Sequence, residues 1–267
     1  MPLPPLHWIL HRARTWVRYR IRAVGAYSLH SPWVFGLYNE MVKGPETNSE
    51  QQIEYERLNL LKDNTLLQID DMGAGYGGDR LATRQKTVAQ VVQSSARELH
   101  TGRWLARLVR YQQAETVLEL GSNLGFSTSY LALGLAEPGQ LTTVEGSAAL
   151  ADFARQRLMG DRRIQVCCAS FDEFLAHDKQ PYDVILLDGN HTYEATLRYG
   201  NILLDKLNPG GVLVLDDIYW SPGMTQAWKH LQADTRVCLS VDLYRLGLLW
   251  VGLRRARQHF ILRGGGG

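Results

Sequence analysis

The sequence predicts an α/β protein with a Rossmann-like, doubly wound sheet of seven strands. Between residues 115 and 253, short β-rich apolar runs alternate with stretches of helical pattern, which is typical of a parallel sheet with crossover helices. The last two β-runs have no helical stretch between them, so they predict an antiparallel hairpin at the end of the sheet. Residues 1–105 lack this alternation and are mostly helical or irregular in pattern, so we expect a helical N-terminal extension or lid.

The elements of the predicted sheet follow one another in five βα units and a terminal hairpin. The predicted strands span residues 116–120, 140–145, 163–167, 182–187, 211–215, 237–241 and 246–253. The predicted crossover helices span residues 127–135, 148–158 and 193–207. Ser221 followed by Pro222 predicts the start of another helix, because serine caps helices and proline fits their first turn.

The composition indicates a globular chain long enough to fold without a disulfide or a metal. Of its 267 residues, 45% are hydrophobic and 21% are charged, and the net charge of +2 argues against a general polyanion-binding protein. The cysteines Cys167, Cys168 and Cys238 form neither a disulfide framework nor a metal-binding spacing. No long apolar run predicts a membrane span, and the N-terminus lacks the pattern of a signal peptide. We therefore expect a cytoplasmic protein.

A glycine-rich stretch at residues 73–78, GAGYGG, matches the G-x-G-x-x-G pattern of dinucleotide-binding proteins. That pattern requires a strand before it, a helix after it and an acidic residue at the end of a second strand. Residues 85–111, which follow, are helical and polar in pattern and supply neither the second strand nor the acid. We therefore predict an ordinary loop at this position rather than a nucleotide site.

A second glycine loop, GSNLGFST, follows the first predicted strand and opens a helix. Its glycines allow a ligand to approach the backbone closely, and the helix N-terminus offers free N–H donors. A dinucleotide fingerprint that starts at Gly121 would need glycine at positions 123 and 126, where the chain has Asn123 and Phe126. The loop therefore predicts a ligand without a pyrophosphate.

Two acidic residues accompany this second loop. Glu145 ends the next strand, 24 residues after Gly121, where a carboxylate can accept both hydroxyls of a ribose. Glu119 ends the first strand, where it could pair with a cationic group. These features predict a ligand with a ribose, a positive charge and no pyrophosphate, and S-adenosylmethionine fits that description. The alternative interpretation is a generic strand-to-helix turn with solvated acids.

Three carboxylates follow the fourth and fifth predicted strands. Asp188 ends the fourth, and Asp216 and Asp217 end the fifth, so they should converge at the carboxyl edge of the sheet. Like charges so close repel unless they protonate or a cation neutralises them, and an oxygen-only set suits Mg²⁺. His191, three residues after Asp188, could take a proton from an acceptor hydroxyl. The alternatives are a reaction without a metal and a non-catalytic cofactor-binding protein.

The combined motifs resemble those of the class I S-adenosylmethionine-dependent methyltransferases, and within them the O-methyltransferase branch. The resemblance rests on ELGSNLGFST, the acid Glu145, YDVILLDGNH and LNPGGVLVLDD, and it covers about residues 95–253. The segments AYSLHSPWVF and DDIYWSPGM are further similar to those of uncharacterised bacterial members of this class. The resemblance implies a methyltransferase domain over residues 106–255, preceded by the extension and followed by a basic, glycine-rich tail over residues 256–267.

The resemblance also implies roles for individual residues. The residues expected to contact the cofactor are Glu119, Gly121, Ser122, Gly125 and Ser127 around the methionine portion, Glu145 at the ribose, and Ser170 and Phe171 at the adenine. Asp188, Asp216 and Asp217 are implied as metal ligands and His191 as the base. Catechol-type relatives carry Asp-Asn where this chain has Asp216 and Asp217, and sugar-type relatives carry two acids with D-G-x-H, as here. The implied activity is methylation of a small-molecule hydroxyl by S-adenosylmethionine. Mg²⁺ is a candidate second cofactor.

The N-terminal segment is rich in arginine and tryptophan before the first acidic residue, Glu40. We expect either an amphipathic helix that packs on the core with its arginines in water, or a surface for anionic lipid or RNA. A nucleic-acid acceptor is the alternative to a small molecule, but the chain has no N-P-P-Y motif and no recognised RNA-binding module. The sequence does not determine the oligomeric state, and a homodimer is one candidate. Tyr219 and Trp220 are expected to wall the acceptor pocket, and residues 30–35 to form a turn with an apolar plug.

Overall fold

The N-terminal segment combines helices with a small hairpin. The computed structural model describes residues 6–70, 83–94, 99–254 and 256–264 of the chain. Its first elements are α1 (Leu6–Arg22), α2 (Pro32–Met41), α3 (Asn48–Leu60), β1 (Leu66–Asp70), β2 (Thr83–Thr87), α4 (Val88–Ser94) and α5 (Leu99–Tyr111). Strands β1 and β2 pair with each other antiparallel and form a separate two-stranded sheet. The mostly helical N-terminal extension thus also contains a hairpin that was not predicted, and the GAGYGG stretch lies outside the described residues.

Local capping explains where several of these helices begin. Ser31 caps α2 with Pro32 in the first turn, and the Ser31 Oγ accepts a hydrogen bond from the backbone N–H of Val34. Thr47 and Glu50 form a reciprocal capping box at the start of α3. These caps satisfy N–H groups that have no partner inside the helix.

The main sheet and its helices follow α5. They are β3 (Thr116–Leu120), α6 (Phe126–Gly134), β4 (Gln140–Glu145), α7 (Ala148–Leu158), β5 (Ile164–Cys168), α8 (Phe171–His177), β6 (Tyr182–Leu187), α9 (Tyr193–Asp205), β7 (Leu207–Asp216), α10 (Pro222–Ala233), β8 (Val237–Asp242), β9 (Leu246–Val251) and β10 (Gln258–Ile261). The strand order in the described part of the chain is β10-β8-β9-β7-β6-β3-β4-β5. Strand β9 runs antiparallel to β7 and β8, and the other pairings are parallel.

The predicted fold class is confirmed, including the antiparallel terminal hairpin and the start of α10 at Ser221. The Ser221 Oγ accepts a hydrogen bond of 3.1 Å from the backbone N–H of Met224. One strand was missed, because β10 pairs with β8 inside the segment that was predicted to be a tail. The predicted domain boundary at residue 105 falls within α5, whose Leu105 and Leu108 are completely buried in the main core.

Two apolar clusters cover the two faces of the sheet. On one face, residues such as Val117 and Val184 pack against α2, α5 and α6. On the other, Leu118 and Ile185 pack against α9 and α10. Trp33 of α2 lies edge-on to Trp250 with a ring-centroid distance of 5.3 Å, and Val34 is completely buried in the core. Residues 32–35 belong to α2 rather than to the predicted turn, and Phe35 is exposed. Helices on both faces leave the carboxyl edge of the parallel strands open for a site.

No helix in residues 6–70, 83–94, 99–254 or 256–264 combines the length and apolar character that crossing a bilayer requires.

Candidate active site

A cleft of about 760 Å³ lies at the carboxyl edge of the parallel strands. Its walls come from the loops after β3, β4, β6 and β7, and from the N-terminal hairpin and α4. The cleft brings together most of the predicted site residues: Gly121, Ser122, Ser127, Glu145, Ser170, Phe171, Asp188, His191, Asp216 and Asp217. A smaller cavity of about 260 Å³ lies under α1, away from these residues. The larger cleft is therefore the candidate active site.

The loop after β3 needs glycine at its first position. Gly121 has φ +106°, and a Cβ there would lie 2.0 Å from the carbonyl oxygen of Asp188. The absence of a Cβ lets the β3 and β6 loops approach closely, and the backbone N–H of Asp188 donates to the carbonyl oxygen of Leu120 at 2.9 Å. Asn123, Asn190 and Asp217 line the same cleft and also have left-handed backbone, at φ 50°, 49° and 53°. Such conformations are uncommon outside glycine and concentrate at functional sites.

Two residues predicted to contact the cofactor do not line the cleft. Glu119 is completely buried, and its Oε2 accepts hydrogen bonds from the hydroxyls of Thr128 at 2.5 Å and Thr143 at 2.6 Å. These bonds tie β3 to β4 and α6 directly behind the loop. Gly125 starts α6 at φ +79°, where a Cβ would lie 2.9 Å from Leu158. Both residues therefore support the loop from outside the cleft.

Glu145 is held at the end of β4 by backbone donors. Its Oε2 accepts from the N–H of Asn123 and its Oε1 from the N–H of Ser147, both at 2.9 Å. Burial raises the pKa of the Glu145 carboxyl, while these N–H donors act in the opposite direction. Each carboxylate oxygen has two lone pairs, so one on each oxygen remains for a ligand hydroxyl. The geometry suits recognition of a vicinal diol.

Phe171 and Ser170 line the cleft where α8 begins. The Phe171 ring lies edge-on to Tyr199 at a centroid distance of 5.5 Å, and a Cβ on Gly189 would come within 2.9 Å of this ring. The Ser170 hydroxyl donates to Glu173 Oε2 at 2.8 Å and accepts from the Glu173 N–H in a capping box. Ser170 thus has a structural role that was not predicted, although its S-x-x-E spacing is a recognisable capping signal.

The predicted base and its neighbouring acid are close together. His191 Nε2 lies 3.7 Å from Asp188 Oδ1, with 27% and 15% of the two side chains exposed. This distance is longer than a hydrogen bond, so the contact is an electrostatic pairing that a protonated imidazole would strengthen. Thr192, not His191, caps α9. His191 is therefore on the preceding loop, facing the cleft.

The acids after β7 meet a guanidinium. Arg245, on the turn between β8 and β9, places Nη1 3.1 Å from Asp217 Oδ1. Asp216 is buried at the end of β7, next to the β6 end that carries Asp188. Within the described part of the chain, no group of three or more His, Cys, Asp or Glu side chains has the geometry to hold a metal ion. The predicted ligand set of Asp188, Asp216 and Asp217 therefore does not fit Mg²⁺ in this arrangement.

The two aromatic residues after the acids have different surroundings. Trp220 lines the cleft, as predicted, and the Arg12 guanidinium of α1 lies 4.9 Å from the centre of its ring. Tyr219 instead faces the smaller cavity, where its hydroxyl donates to Asp242 Oδ2 at 2.5 Å and its ring stacks on Tyr244. Only Trp220 is therefore placed to contact an acceptor.

Several lining residues were not predicted. Arg84 and Lys86 of β2, Arg57 of α3 and Arg245 also line the cleft, where Arg57 pairs with Glu54 and Arg245 with Asp217. The sequence contains no local signal for these positions, because they reach the cleft through tertiary packing of the hairpins. Arg198, which pairs with Asp172 on α8, was also missed.

Comparisons with known proteins cover the cofactor half of this cleft. A family model described as a methyltransferase domain matches residues 118–218, which include the loop after β3, Glu145, and the ends of β6 and β7. Residues 118–218 of the chain therefore match a methyltransferase domain. This match and the similar proteins described next confirm the expected resemblance to class I methyltransferases and their O-methyltransferase branch.

The similar proteins are O-methyltransferases. The methyltransferase domain is 32% identical over 126 residues to mouse catechol O-methyltransferase domain-containing protein 1, covering 43% of this chain and 47% of that protein. It is 29% identical over 127 residues to a catechol O-methyltransferase of Mycobacterium tuberculosis, covering 46% and 57%. The chain thus spans about half the length of the curated relatives it matches.

Structural similarity covers more of the chain than the sequence matches do. An O-methyltransferase from Bacillus cereus, solved with S-adenosylhomocysteine, superposes with a TM-score of 0.53 at 20% identity, over 80% of this chain and 94% of that one. The O-methyltransferase TomG from Streptomyces achromogenes, solved with S-adenosylmethionine, gives 0.52 at 17% identity, over 81% and 93%. These structures share the fold of the methyltransferase domain.

Proposed function

We propose that this protein transfers a methyl group from S-adenosylmethionine to a hydroxyl oxygen of a small molecule. The observation that carries the proposal is the single cleft in which Glu145, the Gly121 loop and the pair of Asp188 and His191 meet. A carboxylate for a ribose and a base for a hydroxyl are the two groups that such a reaction needs from the protein. The catechol and other O-methyltransferases named above support the choice of an oxygen acceptor.

The residues of the cleft fit the cofactor. Ser122 is 1% exposed, and its Oγ has no hydrogen-bond partner among the described residues, so a polar ligand group would satisfy it. The Gly121 loop brings backbone close to the same region, and Glu145 retains acceptor sites for two ribose hydroxyls. Phe171 offers a ring at the end where the adenine would lie. Two of the solved O-methyltransferases contain this cofactor or its product.

The chain's own residues account for the proton transfer. When bound, S-adenosylmethionine supplies a methyl group on a positively charged sulfur, and S-adenosylhomocysteine is left. His191 accepts the proton as the O–H bond of the acceptor breaks, and the oxygen forms its new bond to the methyl carbon. Asp188, 3.7 Å from Nε2, stabilises the imidazolium that results. Trp220 and the Gly121 loop restrict the acceptor between them, and alignment of this kind supplies much of the rate.

No step of this mechanism passes through a metal. The Mg²⁺ site remains a prediction that the donor geometry does not favour, because Asp217 already pairs with Arg245. Arg245, which lies 3.1 Å from Asp217, instead provides a cationic group beside the acids, where an acceptor oxyanion would develop.

Calorimetric titration of S-adenosylhomocysteine tests the cofactor half of the proposal. Changing Glu145 to Gln keeps the side-chain shape but removes the charge from two ribose hydrogen bonds, so we expect an affinity loss of about 10- to 100-fold. Glu115→Gln is the matched control, because Glu115 is exposed before β3, at the opposite edge of the sheet. Equal affinities for both variants would refute the assignment of Glu145.

Methyl transfer to a panel of catechols and vicinal diols tests the catalytic half. We expect His191→Asn to retain S-adenosylhomocysteine binding and to lose transfer, because asparagine cannot accept the proton. Transfer at the wild-type rate by His191→Asn would overturn the role of His191. Cofactor binding without transfer to any hydroxyl would overturn the proposed reaction and favour a non-catalytic protein.

A further inference from the structure

Helix α1 turns its apolar face away from the protein. Six large apolar side chains of this helix are exposed, by 45–79%: Leu6 (71%), Ile9 (45%), Leu10 (62%), Trp16 (50%), Val17 (50%) and Ile21 (79%). Their spacing of three, four and seven residues puts them on one stripe of the helix. The expectation that α1 packs its apolar face on the core was therefore wrong.

The opposite face of α1 holds the helix to the methyltransferase domain through polar and aromatic contacts. Tyr19 is buried and its hydroxyl donates to the carbonyl oxygen of Leu262 at 2.5 Å. His11 Nε2 lies 2.9 Å from Thr225 Oγ1 of α10. Arg12 covers the Trp220 ring, and its carbonyl oxygen accepts from the Tyr244 hydroxyl at 3.1 Å. The orientation of the helix is thus fixed by contacts along its length, and the apolar stripe is left facing outward.

Positive charge surrounds this stripe. Arg14 and Arg20 are exposed beside or within the stripe, whereas Arg18 and Arg22, also exposed, line the smaller cavity under α1; the helix contains no acidic residue. Arg20 also places its guanidinium 5.6 Å from the centre of the exposed Trp16 ring. A helix with leucine, isoleucine and tryptophan on one face and arginines along its borders matches the composition of helices that lie in the interface of anionic membranes.

We propose that α1 docks this protein onto an anionic membrane surface. The apolar stripe would enter the boundary between headgroups and acyl chains while the arginines contact acidic headgroups. An RNA partner would satisfy the arginines but leave the apolar stripe in water. A second copy of the chain would bury the stripe but bring two sets of arginines together. The membrane surface is the partner that satisfies both features.

The position of α1 gives this docking a consequence for the cleft. Arg12 contacts Trp220, which lines the cleft, so the docking helix borders the acceptor wall directly. Docking would therefore hold the mouth of the cleft near the membrane surface. The docking proposal itself stands on α1 alone and does not depend on the proposed reaction.

Co-sedimentation of the full chain with lipid vesicles tests the proposal. We expect binding to vesicles of phosphatidylcholine mixed with phosphatidylglycerol, little binding to phosphatidylcholine alone, and weaker binding as salt is raised. Arg14→Gln and Arg20→Gln should each weaken binding about fivefold, the value expected for one arginine near a charged surface. Ile21→Asp should weaken it about tenfold or more, since it puts a carboxylate into the stripe.

The chain offers a matched control for the apolar contribution. Met159, at the end of α7, is 80% exposed, close to the 79% of Ile21, so Met159→Asp makes the same change away from α1. Val17→Asp provides a second test on the stripe if Ile21→Asp does not fold, as judged by circular dichroism. Equal loss of binding in Ile21→Asp and Met159→Asp would overturn the proposal. The proposal would also be overturned if the protein did not bind anionic vesicles but retained RNA. The same holds if it did not bind vesicles but self-associated in a way that Ile21→Asp abolished.

Discussion

Replacing Asp242 with asparagine should stabilise this protein at alkaline pH and have little effect in acid. Asp242 ends β8 and is 1% exposed. Its Oδ2 accepts from the Tyr219 hydroxyl at 2.5 Å and its Oδ1 from the Tyr244 N–H at 2.8 Å. Asparagine can keep both contacts, because its carbonyl accepts from the Tyr244 N–H and its amide donates to the Tyr219 oxygen. The substitution therefore removes the charge with little change in shape.

The magnitude follows from the ionisation of the buried carboxyl. Burial raises the pKa of Asp242 from 3.8 to about 6, despite its two hydrogen-bond donors. A tenfold change in an ionisation constant corresponds to about 1.4 kcal/mol, so the shift corresponds to about 3 kcal/mol at most. The native state binds the proton more tightly than the unfolded chain does. The contribution to stability is thus fully present below the unfolded pKa and is lost as pH rises through the folded pKa.

Urea unfolding at about pH 4 and about pH 8 measures this effect. We expect the difference in unfolding free energy between Asp242→Asn and wild type to be about 2–3 kcal/mol more favourable to the variant at the higher pH. Asp152→Asn is the control, because Asp152 is 64% exposed and its substitution should show no such change between the two pH values. An equal effect of Asp242→Asn at both pH values would refute the reasoning.

Two further predictions concern the cleft. Gly121→Ala should destabilise the protein by about 2–5 kcal/mol in urea unfolding, because a Cβ would meet a backbone oxygen and the φ is positive; Gly160→Ala, with nothing within 4 Å, should change stability by about 0.5 kcal/mol or less. Calorimetric titration of Mg²⁺ into protein saturated with S-adenosylhomocysteine should show no saturable binding in wild type, whereas Arg245→Met should gain binding because it frees Asp217 from the guanidinium. Saturable binding in wild type that is lost in the double variant Asp216→Asn/Asp217→Asn would instead establish the metal site.

The strands and loops of the methyltransferase domain were predictable because their signals are local. Apolar runs that end at Gly121 or Asp188 mark strands and their carboxyl ends within a few residues of sequence. Parallel strands then bring those ends to one edge of the sheet, so the sequence order alone implies that the residues meet. For that reason the candidate cleft contains most of the predicted residues.

The features that were missed depend on contacts between distant parts of the chain. Strand β10 pairs with β8, although β9 separates the two strands in the sequence. A strand of only four residues also gives no local sign of its partner. Helical periodicity showed that α1 is amphipathic but not which face is covered, and here polar contacts such as that of Tyr19 decide the orientation. Arg245 reaches Asp217 only because a tight turn, with Tyr244 at φ 68°, follows β8.

The two halves of the cleft differ in how much the similar proteins explain. The matched family region, residues 118–218, contains the loop after β3, Glu145, and the acids that end β6 and β7. Other residues that line the cleft come from outside this region: Arg84 and Lys86 lie before it and Arg245 lies after it. An enzyme selects its acceptor through the groups that face the acceptor. Under the proposed function, the choice of acceptor therefore depends on residues of two hairpins that the family match does not cover.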